Sequence, residues 1–155
     1  MTRRYAIFAI AFPLLLLSSP ARAEWVGGPS DRASVPLERL RGAWIVEATI
    51  NGRVSGRFLL DSGATWCSVS ARTAARLRLS QSGRRVDVVT AGGMIREPVV
   101  RLATVRVGGQ QVADVQALIH DLPGEMGELD GIVGLNFLDE FAWSIDSRRS
   151  LLRLQ

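Results

Sequence analysis

Two apolar segments, Trp44 to Ile50 and Val54 to Leu60, flank the dipeptide Asn51-Gly52. A tight type I′ turn needs positive φ at both central residues, which Asn and Gly accept. The dipeptide is therefore the strongest short hairpin signal a sequence carries. It commits the middle of the chain to antiparallel β-structure. The second strand then runs without a break into Asp61-Ser62-Gly63-Ala64-Thr65. A carboxylate thus stands at the end of a β-ladder, and the nearby glycine lets the backbone turn tightly.

The rest of the chain reads as further short strands with little helix. Ser70 to Leu79 combines a capping serine with good helix formers and predicts a helix. Val86 to Thr90 reads as a strand ending at Ala91-Gly92-Gly93. Ile95 to Val107 is extended, with alternation at Val99, Arg101, Ala103, Val105 and Val107. Gly108-Gly109 turns it into a strand over Val112 to Ile119, and Pro123 to Leu129 is a polar loop. In Ile132-Val133-Gly134, two branched residues and a glycine suit a buried strand lying close to another backbone. Asn136 to Phe141 fits a short helix, and Trp143 to Asp146 with Ser150 to Leu154 fits a closing hairpin. Seven or eight short strands with one or two short helices describe a mainly β fold, a small, mostly antiparallel closed barrel.

The residue inventory narrows the chemistry. The chain has no lysine, one histidine (His120) and one cysteine (Cys67). That excludes Schiff-base and Ser-Lys catalysis, and any site built on two His or two Cys. No metal or cofactor is expected. Ser62 lacks the Gly-x-Ser-x-Gly surroundings of a hydrolase nucleophile, and His120, before Asp121, reads as a turn or surface residue. Carboxylate chemistry remains, with Asp61 the best-placed acid. Asp130 and Asp146 read as turn acids at strand boundaries, and Cys67 as a small buried apolar residue.

The first 23 residues read as a cleaved signal peptide. Arg3 and Arg4 precede an apolar core, Ala6 to Leu17, that is shorter than the roughly 20 residues of a spanning helix. Ala21-Arg22-Ala23 offers the small residues of a cleavage site. The expectation is a periplasmic or secreted protein, with a membrane partner only if the segment stays uncleaved as an anchor. Removal of Arg3, Arg4 and Arg22 leaves 16 basic against 15 acidic residues. Such a balance predicts no nucleic-acid partner. Residues 24–41 read as a linker or N-terminal arm in which Val35-Pro36-Leu37 suits a short edge strand, and residues 42–155 as the one folded domain.

The order of these parts resembles the single-domain retropepsin-like aspartic proteases, particularly their bacterial members. The shared features are the Asn51-Gly52 hairpin, Phe58 to Ala64, the helix from Ser70, a glycine-bearing flap at Thr90 to Met94, and Ile132-Val133-Gly134 leading into Asn136-Phe137-Leu138. The resemblance covers about residues 43 to 154. It implies an acid-protease-type barrel with one lobe per chain, Asp61, Ser62 and Gly63 as the catalytic loop, and Ile132, Val133 and Gly134 packed beside it. It places Thr65, Ala91, Gly92, Gly93 and Met94 against a protein or peptide substrate. Ser62 would bond across to a partner loop, Gly63 N–H would bond the Asp61 carboxylate, and Thr65 would satisfy a nearby backbone group. One Asp-Ser-Gly per chain implies a homodimer whose two Asp61 carboxylates share a proton and activate water. A silent peptide-binding or scaffolding module in the periplasm is the alternative. The flap lacks the aromatic residue of pepsins, and Trp66-Cys67 is bulky for its place after the loop.

Overall fold

The computed structural model describes residues 33–80, 83–90 and 92–155. The expected signal peptide and the first part of the arm therefore lie outside the described residues. From residue 33 the arm is a full strand, β1 (Ala33–Leu40), rather than a short piece at 35–37. Its first half pairs with the last strand of the chain and its second half with the first strand of the Asn-Gly hairpin. Val35 and Leu37 are buried, so this stretch belongs to the core.

The hairpin forms as expected from β2 (Ala43–Ile50) and β3 (Val54–Leu60). Asn51 and Gly52 have φ of 53° and 61°, and Arg53 N–H donates to Ile50 O at 3.0 Å. A three-residue strand that the pattern did not announce, β4 (Cys67–Val69), follows the Asp61 loop. Helix α1 (Ala71–Leu77) begins at Ser70, whose Oγ accepts the Thr73 N–H, and ends at Arg78 in the left-handed conformation. Strands β5 (Arg85–Thr90) and β6 (Gly93–Val107) form the flap hairpin, and β7 (Gln110–Ile119) returns along β6. A 3₁₀ turn (Gly124–Glu128), β8 (Gly131–Val133), α2 (Leu135–Leu138), β9 (Trp143–Asp146) and β10 (Leu151–Leu154) complete the chain.

The strands lie in the order β5-β6-β7-β4-β8-β3-β2-β1-β10-β9, and β6 also pairs with β2. That extra pairing closes β2, β3, β8, β4, β7 and β6 into a ring. The flap strand β5 hangs from one side and the β1-β10-β9 sheet from the other. The expected small barrel is present, and the described residues form ten strands instead of seven or eight, six of them in the ring. Two pairings inside the ring are parallel, β3 with β8 and β4 with β7. Phe58, Ile50, Leu102, Val69, Phe137 and Leu152 belong to one hydrophobic core and are almost wholly buried. The expected alternation along β6 breaks midway: Leu102 faces in, and so does Val105 three residues later. Opposite this point Asp114 has φ of 60°, which shifts the phase of both strands.

Candidate active site

Asp61 stands where β3 leaves the parallel pair with β8. Leu60 is opposite Val133, and Asp61 N–H donates to Val133 O at 3.1 Å, one residue beyond the ladder. The carboxylate is then held from within its own turn. Gly63 N–H donates to Asp61 Oδ1 at 2.8 Å, and Ala64 N–H donates to Asp61 O at 3.3 Å. Asp61 is half-buried, whereas Ser62 and Gly63 are exposed. One carboxylate oxygen is thus fixed by a backbone donor at the surface of the chain.

Gly134 closes the loop from below. A Cβ there would stand 2.6 Å from Trp66 O and 2.7 Å from Ala64 O, contacts that no side chain tolerates. With glycine present, the start of α2 comes close enough for Leu135 N–H to reach Ala64 O at 2.8 Å and Asn136 N–H to reach Thr65 O at 3.1 Å. Val133 and Gly134 thus lie against the loop, while Ile132 is paired with Leu59 and Ser68. Ser62 makes no hydrogen bond among the described residues. Thr65 satisfies a backbone group through its carbonyl, which accepts the Asn136 N–H, and its side chain is exposed.

Two further residues hold this loop. Asn136 Oδ1 accepts the Cys67 N–H at 2.8 Å while its Nδ2 donates to Gln116 O at 2.7 Å. One amide therefore ties β4, at the end of the Asp61 loop, and β7 to α2. Sequence reading placed Asn136 in a short helix without a role, and the only signal was its position two residues after Gly134. Cys67 is buried, and its Sγ accepts the Gly134 N–H at 3.4 Å. Burial pushes the thiol up to about 11, outweighing the opposing hydrogen bonds, so the sulfur is a neutral packing atom.

Asp130 is more than a turn acid. Its Oδ2 accepts the Arg57 N–H at 3.0 Å, its Oδ1 accepts the Thr73 hydroxyl at 2.9 Å, and the Arg72 guanidinium lies 3.4 Å away. This buried carboxylate lies over Gly56, where a Cβ would stand 2.1 Å from Oδ2. It buckles β3, α1 and β8 together behind the loop. Asp146 is the expected turn acid, bonded by Arg149 N–H and Arg153. His120 pairs with Glu97 at 3.0 Å where β6 leaves the flap.

The flap tip turns between Thr90 and Gly93, whose Cα atoms are paired. Thr90 Oγ1 accepts the Gly92 N–H at 3.2 Å and donates to Gly93 O at 2.8 Å. Ala91 lies outside the described residues. Met94 is 73% exposed and sits directly across the hairpin from Val89, 81% exposed. No hydrogen bond joins the flap tip to the Asp61 loop among the described residues. Open clefts of about 330 and 220 Å³ lie elsewhere, beside Glu47 and Arg106 and beside Ala75 and Arg78. Among the described residues, no cluster of His, Cys, Asp or Glu is suited to a metal.

The strand running into Asp-Ser-Gly and the glycine that closes on it both lie within a region that matches a known family. The aspartyl protease family model matches residues 46–137, more than half of the 155-residue chain, and includes the hairpin, Asp61 and Gly134. The chain belongs to the aspartyl protease family. Among solved structures, it is similar to a retropepsin-like aspartic protease from Rickettsia conorii. The two share 20% sequence identity with a TM-score of 0.56, over 80% of this chain and 91% of that one. The likeness shows a common retropepsin-like fold. No curated protein sequence matches the chain.

Proposed function

We propose that the chain is an aspartic endopeptidase that hydrolyses peptide bonds with water activated between the Asp61 carboxylates of a homodimer. The observation that carries this reading is the fixed, surface-facing Asp61 with Gly63 N–H on one oxygen, in a protomer that supplies only one such loop. Two carboxylates in contact cannot both ionise, so the pair holds one proton. One draws a proton from the water, and the other donates a proton to the scissile carbonyl oxygen. The titration belongs to the pair rather than to either copy. The free Ser62 hydroxyl suits a bond to the partner loop, and the flap covers a bound peptide with Gly92, Gly93 and Met94. The N-terminal segment supports action after export, in the periplasm or outside the cell.

Asp61→Asn tests the assignment. Asn preserves size and removes the shared proton, so peptide hydrolysis is expected to vanish while the circular dichroism spectrum stays native-like. Mixing inactive and wild-type chains after dissociation tests the dimer. With random pairing, only the square of the wild-type fraction stays active. Activity that survives Asp61→Asn removes the catalytic role; a strictly linear loss on mixing removes the shared site.

A further inference from the structure

The β6–β7 ladder stops where the flap hairpin begins, and Pro98 is the reason. Val99 and Leu118 are its last register pair, and Gly93 to Pro98 pair with β5 alone. Val99 N–H points to the β5 side, where it donates to Arg84 O at 2.9 Å. Backbone groups alternate in direction along a strand, so the donor of residue 98 belongs on the β7 side, and proline has none. Because β5 is an edge strand, no second ladder holds the hairpin to the barrel. Carried two residues past Val99 and Leu118, the register sets Glu97 opposite His120. There the side chains take over from the backbone. Glu97 Oε1 and His120 Nδ1 lie 3.0 Å apart, and each side chain is 21% exposed. Among the described residues from Arg85 to Pro98, Glu97 is the one whose side chain bonds outside the hairpin. His120 is itself mounted on the barrel. Its N–H donates to Val69 O at 3.0 Å, and the carboxylate of the next residue, Asp121, accepts the Ala71 N–H at 2.9 Å. Val69 ends β4, the strand that leaves the Asp61 loop.

We propose that Glu97 and His120 are positioning residues of the flap. Their side-chain bond replaces the rung that Pro98 removes and fixes the angle at which the β5–β6 hairpin leaves the barrel. Without it the hairpin pivots about Pro98 on a single strand. With it the stem of the flap is tied through Val69 to the strand that leaves the Asp61 loop, so flap and loop keep one relative position. A bond between half-buried groups suits this use, because water competes for it less than for an exposed ion pair. The exposed Asp87–Arg96 pair, at 3.9 Å, stays within the hairpin and cannot do the same. The proposal rests on the reading of β5–β6 as the flap of a protease and adds what holds that flap in place.

The distance between two spin labels on the full chain tests this clasp. Cys67 is buried, so labels go to introduced thiols. Asp87→Cys, exposed on the stem of the flap, and Arg53→Cys, exposed in the turn of the β2–β3 hairpin, carry them. Labelled chains are diluted into a large excess of unlabelled chain, so the distance read lies within one chain. One narrow distance is expected. His120→Ala is expected to replace it with a broad distribution, and Glu97→Ala to do the same from the flap side. His120→Asn keeps an N–H donor and Glu97→Gln an acceptor oxygen, and both are expected to retain the narrow distance. Loss of one net hydrogen bond shifts the opening equilibrium of the flap roughly fivefold, so KM for a peptide should rise by up to that factor with kcat unchanged. A distance that is already broad with Glu97 and His120 in place, or that stays narrow in both alanine variants, overturns the proposal. So does His120→Asn behaving as His120→Ala, and so do alanine variants that lose the narrow distance yet keep the parent KM. A wild-type chain that hydrolyses no peptide, while the distances change as expected, supports the clasp and removes the protease reading instead.

Discussion

Gly134 and Trp66 approach so closely that a Cβ on the glycine would stand 2.6 Å from the tryptophan carbonyl oxygen. Two loops far apart in sequence share one volume here, and the missing side chain is what lets them do so. Gly134→Ala is expected to cost about 1–3 kcal/mol, the usual penalty for overpacking. Thermal unfolding of the variant checks this. Activity should fall as well, because any shift at Trp66 and Ala64 reaches Asp61 through their shared loop.

Asn136 spends both ends of its amide on backbone groups, Cys67 N–H and Gln116 O. Asn136→Ala leaves both without that partner and is expected to cost about 1–3 kcal/mol. Denaturant unfolding gives the number. Asn136→Asp keeps the acceptor for Cys67 and loses the donor for Gln116, so it should fall between wild type and alanine.

The Cys67 thiol is raised from its ordinary 9.0 to about 11 by burial. At neutral pH it should resist iodoacetamide in the folded protein and react once denaturant is added. The folded state keeps its proton longer than the unfolded state, so this contribution to stability is complete below pH 9 and is lost as pH rises through 11. The loss amounts to about 3 kcal/mol. Chemical denaturation at pH 8 and pH 11, with Cys67→Ala as the reference, measures it.

The proposed sharing of one proton between two Asp61 carboxylates sets the expected rate profile. Hydrolysis should peak on the acidic side of neutral and decline as the second proton is lost. A rate that stays flat from about pH 4 to 8 would show that no such proton takes part.

Several features of the site were readable before any coordinates. Asn51-Gly52 demands positive φ at two successive residues, Ser70 offers a capping oxygen, and an apolar run into Asp-Ser-Gly places the carboxylate at a strand end. Each is a local signal carried by neighbouring residues. The glycine after Ile132-Val133 is also a local signal that a backbone passes close by, but it does not name which backbone. Strand β4 escaped notice because Cys-Ser-Val is too short to show a period; its pairings to β7 and β8 create it. The phase shift along β6 was hidden for a related reason, since its cause sits at Asp114 on the opposite strand. Asp130 looked like a turn acid because its partners, the Arg57 amide and the Thr73 hydroxyl, lie dozens of residues away.

By itself, then, the sequence determined the local conformations and the kind of chemistry: β-hairpins, one capped helix, and a single well-placed acid in a chain without lysine. Tertiary structure alone decided how the barrel closes through β2 and β6, which loops Gly134 separates, and what Asn136 and Asp130 hold. Turn and cap preferences arise from sterics within a few residues, so a linear reading recovers them. Close packing and hydrogen-bond satisfaction act between segments that meet only after folding, and each partner is unspecified until the other arrives.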